Sequence, residues 1–195
     1  MTPLIERVRQ GLDARPAVPL EDSLGGRAAV ALILRELGGE LELLFIRRSE
    51  HPSDPWSGQM AFPGGRAEPG ESDLRETALR ETAEEIGIDL KQAGAYLGAL
   101  DEVRAIARGR SLDLSIKPYV FVLRNDTGIT LNSEVRSVHW IPLGELLGSD
   151  LESTLEYAYQ GVLRNLPCLR YQDVVIWGLT YQMFMSFRTR LLALA

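Results

Sequence analysis

The sequence predicts an α+β domain in which a mixed β-sheet is covered by helices, and three observations predict it. Short apolar runs of strand length outnumber the helical patterns along the 195 residues. Turns that contain glycine, proline or asparagine separate these runs. Helical patterns stand near both ends and in the middle of the chain. The hydrophobic share of 45% suits a single domain with a buried core.

The N-terminus is predicted to form a short amphipathic helix. Residues 3–13 place apolar side chains at helical spacing among charged ones. Residues 15–26 contain two prolines, end in Gly-Gly and are typical of an irregular connector. We therefore divide the chain into an N-terminal helix and connector over residues 1–26 and a main domain with a C-terminal helix over residues 27–195.

A β-hairpin is predicted next. The apolar run 28–34 suits a buried strand, and residues 41–49 suit its antiparallel partner. Gly38 and Gly39 lie between them and adopt without steric penalty the positive φ angles of a tight turn. Residues 50–65 contain three prolines and three glycines and are predicted to be mostly loop.

The clearest helix is predicted from Ser72 to Ile86. Ser72 is the expected N-cap, acidic residues follow in the first turn, and Gly87 stands where a left-handed C-cap is needed. The expected buried stripe consists of Leu74, Ala78, Leu79 and Ile86.

Further short strands are predicted after this helix, over residues 96–100, 115–123 and 137–143. A basic, polar segment at residues 104–110 interrupts them. A second long helix is predicted to close the chain over residues 176–194.

Composition and charge exclude several classes of function. The net charge of -6 and the pI of about 5.1 argue against a nucleic-acid surface, which needs clustered Lys and Arg. The longest uncharged run, residues 174–187, is shorter than the roughly 20 residues that span a bilayer. The only cysteine, Cys168, cannot form an internal disulfide, and the first ten residues lack the apolar core of a secretory signal. We therefore expect a cytoplasmic protein with no membrane or nucleic-acid partner.

Three carboxylates are predicted to share one face of the central helix. Glu81, Glu84 and Glu85 stand at i, i+3 and i+4, which brings their side chains close together. Their repulsion costs about 0.2–0.5 kcal/mol per pair, and a bound divalent cation would reverse that penalty. Mg²⁺ takes oxygen ligands, commonly one or two carboxylates together with substrate phosphates. The alternative is a solvated acidic helix face.

Neighbouring residues favour the metal-site interpretation. Arg80 can reach Glu84 one turn away and orient a ligand carboxylate. Gly64 and Gly65 permit close backbone approach, so a carbonyl there could supply a further hard oxygen ligand. The cluster therefore suits a metal that is shared with a pyrophosphate.

Residues 64–87 resemble the signature of the Nudix hydrolase family, G-x5-E-x7-R-E-U-x-E-E-x-G-U, in which U is aliphatic. Its positions are filled in order by Gly65, Glu71, Arg80, Glu81, Glu84, Glu85, Gly87 and Ile88. Eight residues instead of seven separate Glu71 from Arg80, which leaves the role of Glu71 open. Thr82 stands at an aliphatic position, and its hydroxyl therefore needs a partner.

The resemblance implies a Nudix-type α/β/α sandwich with a mixed β-sheet, and hydrolysis of a nucleoside diphosphate linked to another group X. It also implies Mg²⁺ or Mn²⁺, held by Glu81, Glu84 and Glu85, with the carbonyl of Gly65 as a further ligand. Such ions neutralise a diphosphate and lower the pKa of a bound water. Family members are often dimers, so the terminal helices could form a homodimer or simply close the core.

A further acidic residue, from a loop after the signature, often acts in the family as a base or an additional metal ligand. Glu134 is the candidate here, because it precedes the run 140–143, which resembles a W-x-P-L pattern of many members. Glu102 is the alternative. The expected catalytic residues are therefore Arg80, Glu84 and Glu134.

The segment before the signature resembles that of the coenzyme A pyrophosphatase branch of the family. Arg48-Ser49 and residues 58–65 match that branch, and residues 176–180 are similar to its W-G-x-T stretch. The Arg and His of its L-R-x-H-x-G-Q run are missing from residues 52–59. The expected substrate-binding residues are Arg48, Gln59, Phe62 and Arg66, with the ring of Phe62 or Trp56 able to stack on a base.

The leading expectation is hydrolysis of coenzyme A or its thioesters. ADP-ribose or a nucleotide sugar is the alternative substrate within the same chemistry. An alternative of another class is a Nudix-fold sensor that binds such small nucleotide derivatives without cleaving them. The intact Arg80, Glu81, Glu84 and Glu85 argue against a sensor, which has no need of a complete metal-binding face.

Overall fold

The computed structural model describes residues 2–20, 25–107, 110–159 and 161–193, which fold around one large sheet. The strands of this sheet are β1 (Gly26–Leu37), β2 (Glu40–Arg48), β3 (Met60–Ala61), β4 (Gly64–Arg66), β5 (Gly94–Ala99), β6 (Val103–Ala107), β7 (Arg110–Leu123) and β8 (Val135–Pro142). A second, three-stranded sheet consists of β9 (Glu152–Tyr159), β10 (Val162–Tyr171) and β11 (Val174–Trp177). The helices are α1 (Pro3–Asp13), α2 (Leu74–Ile86), α3 (Leu90–Ala93), α4 (Leu143–Leu147) and α5 (Gly178–Leu192).

The large sheet is mixed, as predicted. Its path runs β3-β2-β1-β7-β5, and β4, β6 and β8 pair with β1, β7 and β2. Strands β1 and β7 are parallel from the Gly26–Leu114 pair to the Leu34–Val122 pair, whereas the other pairings are antiparallel. The predicted hairpin is confirmed between β1 and β2, where Gly38 has a φ of 62°.

Helices cover both faces of the large sheet, because side chains alternate along its strands. In β1, Leu32 and Leu34 belong to one buried cluster and Ala31 and Ile33 to another. The first cluster includes buried residues of α1, α4 and α5, and the second includes those of α2 and α3. The α/β/α sandwich is therefore confirmed.

The terminal helices close one layer of this core. The apolar face of α1, with Ile5, Val8 and Leu12, lies in the same cluster as Phe184 and Phe187 of α5. Each large apolar side chain that is fully buried contributes about 1.5–3 kcal/mol relative to exposure. The apolar faces of both helices are therefore used inside the protomer.

The basic segment at residues 104–110 was predicted to interrupt the strands, and this prediction was wrong. Val103–Ala107 form β6, which pairs antiparallel with β7. Val103, Ala105 and Ala107 point into the core while the intervening side chains point away, so an alternating strand pattern lies beneath the polar composition. Residues 108 and 109 lie outside the described residues, as do residues 21–24 of the predicted connector.

The C-terminal part also differs from the prediction. Ile176 belongs to β11, and α5 begins at Gly178, whose φ of 63° turns the chain from strand into helix. The β9–β11 meander was not predicted, because the first four residues of β10, Val162 to Asn165, are all exposed and give no alternation of buried and exposed side chains. None of the helices in the described ranges is long and apolar enough to cross a membrane.

Candidate active site

Two glycines allow β4 to lie between β1 and the central helix. Gly64 has a φ of 154°, and a Cβ atom there would stand 2.2 Å from the carbonyl oxygen of Ala29. A Cβ atom at Gly65 would stand 2.4 Å from the carboxyl carbon of Glu81. Any larger residue at these positions would displace β4 from β1 or Glu81 from its place.

Helix α2 is capped at both ends. Asp73, not Ser72, is the N-cap: its carboxylate accepts from the backbone N–H of Arg75 at 2.9 Å. Gly87 takes the predicted left-handed conformation at the other end, with a φ of 74°. The buried hydroxyl of Thr82 donates to the carbonyl of Ala78 at 2.7 Å, which supplies the partner that its position required.

The carboxylates of Glu71, Glu81, Glu84 and Glu85 form an acidic cluster, and Arg80 contacts the first three of them. Its guanidinium donates to Glu71 at 3.0 Å, to Glu81 at 2.9 Å and to Glu84 at 3.2 Å. A further hydrogen bond of 3.0 Å reaches the carbonyl oxygen of Arg66 on β4. Arg80 therefore ties the helix to the strand before it and fixes the carboxylates around its own charge.

The eight-residue spacing does not separate Glu71 from Arg80. The carboxylate of Glu71 also accepts from the backbone N–H of Glu68 and from the hydroxyl of Thr77, at 2.8 and 2.7 Å. The hydrogen bonds from Arg80 and Glu68 lower the pKa of Glu71 from 4.5 to about 2. Glu71 thus anchors Arg80 and the loop that precedes α2.

Glu81 is a partly buried carboxylate of the cluster, and Glu85 is fully buried. The side chains are 16% and 2% exposed, and burial raises the pKa of both, to about 8 for Glu85. Glu85 accepts from the backbone N–H of Gly64 at 2.9 Å. Glu84 is different, because 55% of its side chain is exposed. A positive charge placed near the buried pair would favour their charged forms.

The loop before β8 is fastened to the end of α2. The carbonyl groups of Ile86 and Glu85 accept from the backbone N–H groups of Thr130 and Asn132, both at 3.0 Å. The carbonyl of Glu134 accepts from the N–H of Ser49 at 2.8 Å. The exposed side chain of Glu134 is thereby held at the acidic cluster, where its charge raises the pKa of Glu81 and Glu85 alongside their burial.

Glu102, the alternative to Glu134, lies elsewhere. Its carboxylate is 3.9 Å from the ammonium of Lys117 and accepts from the backbone N–H of Leu20 at 3.3 Å. Glu134 lines the cavity that borders the acidic cluster, and Glu102 does not.

This cavity, the carboxylate cavity, has a volume of about 500 Å³ and two chemically different walls. Glu81, Glu84 and Glu134 line one wall together with Arg80 and Gly65. The apolar part of the lining consists of Ala28, Val30, Leu114, Ile116, Leu179 and Met183. A site with this pairing suits an anionic group at one wall and an apolar part of the same ligand at the other.

The four residues expected to bind substrate all border the carboxylate cavity, but they differ in how much side-chain surface a ligand could contact. Arg48 is held by Asp54 at 2.8 Å and lies 4.0 Å from Glu85. Gln59 and the exposed Arg66 present side chains to the cavity. Phe62 is only 2% exposed and stacks on Phe45 with ring centroids 5.0 Å apart, so it offers little surface to a ligand.

Sequence reasoning missed two residues that shape the carboxylate cavity, Asp54 and Thr180. Asp54 fixes Arg48, and a loop aspartate carries no sequence signal for that role. Thr180 at the start of α5 donates to the carbonyl of Met60 at 2.8 Å and brings Leu179 and Met183 to the cavity. The resemblance of residues 176–180 to a W-G-x-T stretch was the signal for this second contribution.

The side chains of Glu81, Glu84 and Glu85 are adjacent but turned to different partners. Within the described ranges, no three Asp, Glu, His or Cys side chains converge closely enough to hold a metal ion as they stand. Glu81 and Glu84 face the guanidinium of Arg80, and Glu85 faces Gly64. Their role as metal ligands stays a prediction.

The sequence of the chain is similar to a known protein family and to several of its members. The family model of the NUDIX domain matches residues 25–165. An uncharacterized protein of Schizosaccharomyces pombe is 42% identical over 119 residues, which are 58% of this chain and 36% of that protein. The chain therefore matches only about a third of the length of the yeast relative.

An uncharacterized Nudix hydrolase, NudL, of Yersinia enterocolitica is 36% identical over 142 residues, which are 72% of this chain and 69% of that protein. Among solved structures, a MutT/nudix family protein from Enterococcus faecalis superimposes with a TM-score of 0.51 and 18% identity. The superposition covers 90% of this chain and 62% of that one. At this identity the structural likeness concerns the fold alone.

Proposed function

The chain belongs to the Nudix hydrolase family, whose members act on diphosphate bonds of nucleotide derivatives, and from this premise we propose its substrate and its catalytic residues. The proposed reaction is divalent-metal-dependent hydrolysis of a nucleoside diphosphate linked to a group X. Water cleaves the P–O–P bridge and leaves two phosphate monoesters. The observation that carries the proposal is the carboxylate cavity, whose lining combines Glu81, Glu84 and Glu134 with a set of apolar side chains.

The donor set fits a hard divalent cation. The carboxylates of Glu81, Glu84 and Glu85 and the carbonyl of Gly65 are the oxygen ligands that Mg²⁺ and Mn²⁺ accept. Burial raises the pKa of Glu81 and Glu85, and a cation bound beside them would favour their charged forms. Mg²⁺ or Mn²⁺ at these residues would neutralise the diphosphate and lower the pKa of a bound water.

Side chains of the protein are proposed to orient the carboxylates and to take the proton of the attacking water. Arg80 orients the carboxylates to which it donates, because it holds Glu81 and Glu84 from one guanidinium. Glu134 is the proposed general base, which takes the proton of the attacking water at its carboxylate. Within the described residues its carboxylate accepts no hydrogen bond and forms no ion pair, so it is available for that proton.

Coenzyme A or one of its thioesters is the proposed substrate. Most of the residues that resemble the coenzyme A branch line the carboxylate cavity: Arg48, residues 59–62, Gly64 and Gly65. Arg66 and Gln59 supply polar contacts there, and the apolar wall suits a long X group. ADP-ribose and nucleotide sugars are the competing substrates, since the missing Arg and His of the branch weaken recognition of coenzyme A.

Two further proposals concern the whole chain. The buried thiol of Cys168, the only cysteine, suits a reducing compartment such as the cytoplasm. We retain residues 27–195 as the catalytic domain and residues 1–26 as an added helix and connector. A homodimer, if it forms, would have to use a surface other than the apolar faces of α1 and α5, which the core already covers.

A substrate screen tests the proposal. Purified protein is incubated with Mg²⁺ or Mn²⁺ and coenzyme A, ADP-ribose, nucleotide sugars, dinucleoside polyphosphates or nucleoside triphosphates, and products are separated by chromatography. We expect turnover of coenzyme A to exceed that of the others and to stop with EDTA. Preference for ADP-ribose would reject the coenzyme A assignment, and binding without turnover of any compound would favour a sensor.

The variant Glu85→Gln tests the acidic cluster. We expect at least roughly a tenfold loss of turnover, equivalent to about 1.4 kcal/mol of transition-state stabilisation, because the amide cannot carry negative charge to a metal. The amide oxygen can still accept from Gly64, so the fold should persist. Glu76→Gln on the same helix, where Glu76 pairs with Lys91, is the matched control. Equal rates for both variants and the parent would remove Glu85 from the site.

A further inference from the structure

A second cavity of about 650 Å³ opens beside the carboxylate cavity. The two cavities share three lining residues, Trp56, Gln59 and Leu179. One ligand can therefore extend from one cavity into the other across these residues. The second cavity has the size that small-molecule sites usually have, about 300–1,000 Å³.

One face of the C-terminal meander forms a wall of the second cavity. Tyr157 and Arg164 are directly paired across β9 and β10, so their side chains share a face. Trp177 on β11 lies against Tyr157 with ring centroids 5.1 Å apart, and both rings line the cavity. Trp56 and Ile106 also line the cavity, and the indole N–H of Trp56 donates to the carbonyl of Ile106 at 3.2 Å.

The charge of the second cavity is opposite to that of the chain. Arg110 and Arg164 line it, and its described lining contains no Asp or Glu, although the chain carries a net charge of -6. Both arginines are exposed. Neither guanidinium group has a hydrogen-bond or ion-pair partner among the described residues. Two unpaired guanidinium groups beside aromatic rings suit a phosphate attached to a ring system.

We propose that the second cavity binds the far end of the substrate, and that this end is a phosphorylated nucleoside. Its base would pack against the rings of Tyr157 and Trp177, and its phosphate would bind Arg110 and Arg164. The inference rests on the proposed hydrolysis in the carboxylate cavity, where the diphosphate of the same molecule would lie. An aliphatic chain would fill the apolar part of the cavity but would leave both arginines unused.

Binding of adenosine 3′,5′-bisphosphate tests the inference, because this compound has no diphosphate bond to cleave. Calorimetric titration of the full chain should give binding at least about fivefold weaker in Arg164→Gln and in Arg110→Gln than in the parent. Arg164→Lys, which keeps the charge, should recover part of the loss. Arg9→Gln removes the same charge from the exposed surface of α1 and should bind as the parent does.

The outcomes separate this inference from the proposed function. The bisphosphate should inhibit turnover competitively; inhibition of another type, no binding, or parent-like binding in both arginine variants would overturn the inference. Turnover that is intact while binding ignores the arginines would reject only the second cavity. Arginine-dependent binding without turnover of any substrate would reject the proposed hydrolysis and keep the second cavity as a site for phosphorylated nucleosides.

Discussion

Glu134 and Glu102 are two single side chains that the same sequence reasoning proposed for one role. Their surroundings differ: the carboxylate of Glu134 borders the acidic cluster, whereas that of Glu102 faces Lys117 and Leu20. A base must lie within hydrogen-bonding reach of the attacking water, so the position of Glu134 on the carboxylate cavity favours it over Glu102 as the proposed base. Backbone hydrogen bonds of the loop before β8 hold Glu134 in this position, and the sequence does not display them.

Replacing each glutamate by glutamine tests this assignment. Glu134→Gln should lower kcat by at least about tenfold with little change in KM, because general bases typically contribute 10²–10⁴-fold. Glu102→Gln, the control, should stay within about twofold of the parent. Steady-state kinetics on the preferred substrate measure both. A parent-like Glu134→Gln together with a slow Glu102→Gln would transfer the role to Glu102.

Glu71 stabilises the folded protein through its charge. Its pKa is lowered from 4.5 to about 2 by hydrogen bonds from Arg80 and Glu68, so the folded state holds its proton less tightly than the unfolded state. The resulting stability is fully present above about pH 4.5 and is lost as the pH falls through about 2. Glu71 is thus expected to act on stability, and only through Arg80 on the carboxylates proposed to bind metal.

The variant Glu71→Gln should remove this pH dependence. We expect the variant to unfold at lower urea concentration than the parent at pH 7, and the gap to narrow as the pH falls below about 4.5. Urea titrations between pH 3.5 and 7 measure the gap. Glu145→Gln, at an exposed position of α4, should show no such trend. A gap that is independent of pH would contradict the role of the Glu71 charge.

At the scale of the element, α2 shows how far periodicity can predict. Its buried stripe of Leu74, Ala78, Leu79 and Ile86 and its C-cap at Gly87 follow from helical spacing and from the glycine, and all are confirmed. The N-cap was wrong by one residue, because serine and aspartate are equally good caps and only the chain direction before the helix selects Asp73. Local chemistry therefore fixes the helix but not its first residue.

The N-cap can be tested by two neighbouring substitutions. Asp73→Ala removes the acceptor for the N–H of Arg75 and should cost about 1 kcal/mol, or about 2–4 °C in Tm for a chain of this size. Ser72→Ala should shift Tm by less than about 1 °C. Thermal unfolding followed by circular dichroism measures both. A larger shift for Ser72→Ala would restore Ser72 as the cap.

The candidate site was predictable where its residues lie in one local segment. Glu81, Glu84 and Arg80 follow from spacing within α2, and the hairpin follows from Gly38 and Gly39. The apolar wall was not predictable, because Leu114 and Met183 reach it from distant parts of the chain through sheet pairing and helix packing. Such contacts depend on the whole fold and leave no mark on nearby sequence.

At the scale of the whole molecule, α5 connects the carboxylate cavity with the N-terminal segment. Its first turn is fastened to β3 by the bond from Thr180 to Met60, and its last turn carries the buried Arg190. The guanidinium of Arg190 donates to the carbonyl oxygens of Leu12 and Arg15 and to the carboxylate of Asp101. One side chain thus joins α1, the connector and the segment after β5.

Arg190→Met should therefore destabilise the protein without changing its chemistry. The variant keeps most of the side-chain volume but leaves two carbonyl groups without their donor and Asp101 with Arg15 and Val18 as its remaining donors, which should cost roughly 2–4 kcal/mol. Urea unfolding at pH 7 measures the loss, and Arg9→Met on the exposed surface of α1 should change stability by less than about 0.5 kcal/mol. Turnover at 25 °C should match the parent, because Arg190 borders neither cavity.

Two outcomes would contradict this prediction. Parent-like stability would show that α1 is held by its apolar face alone. A folded variant with slower turnover would show that the contacts of Arg190 with the N-terminal segment affect the carboxylate cavity through α5.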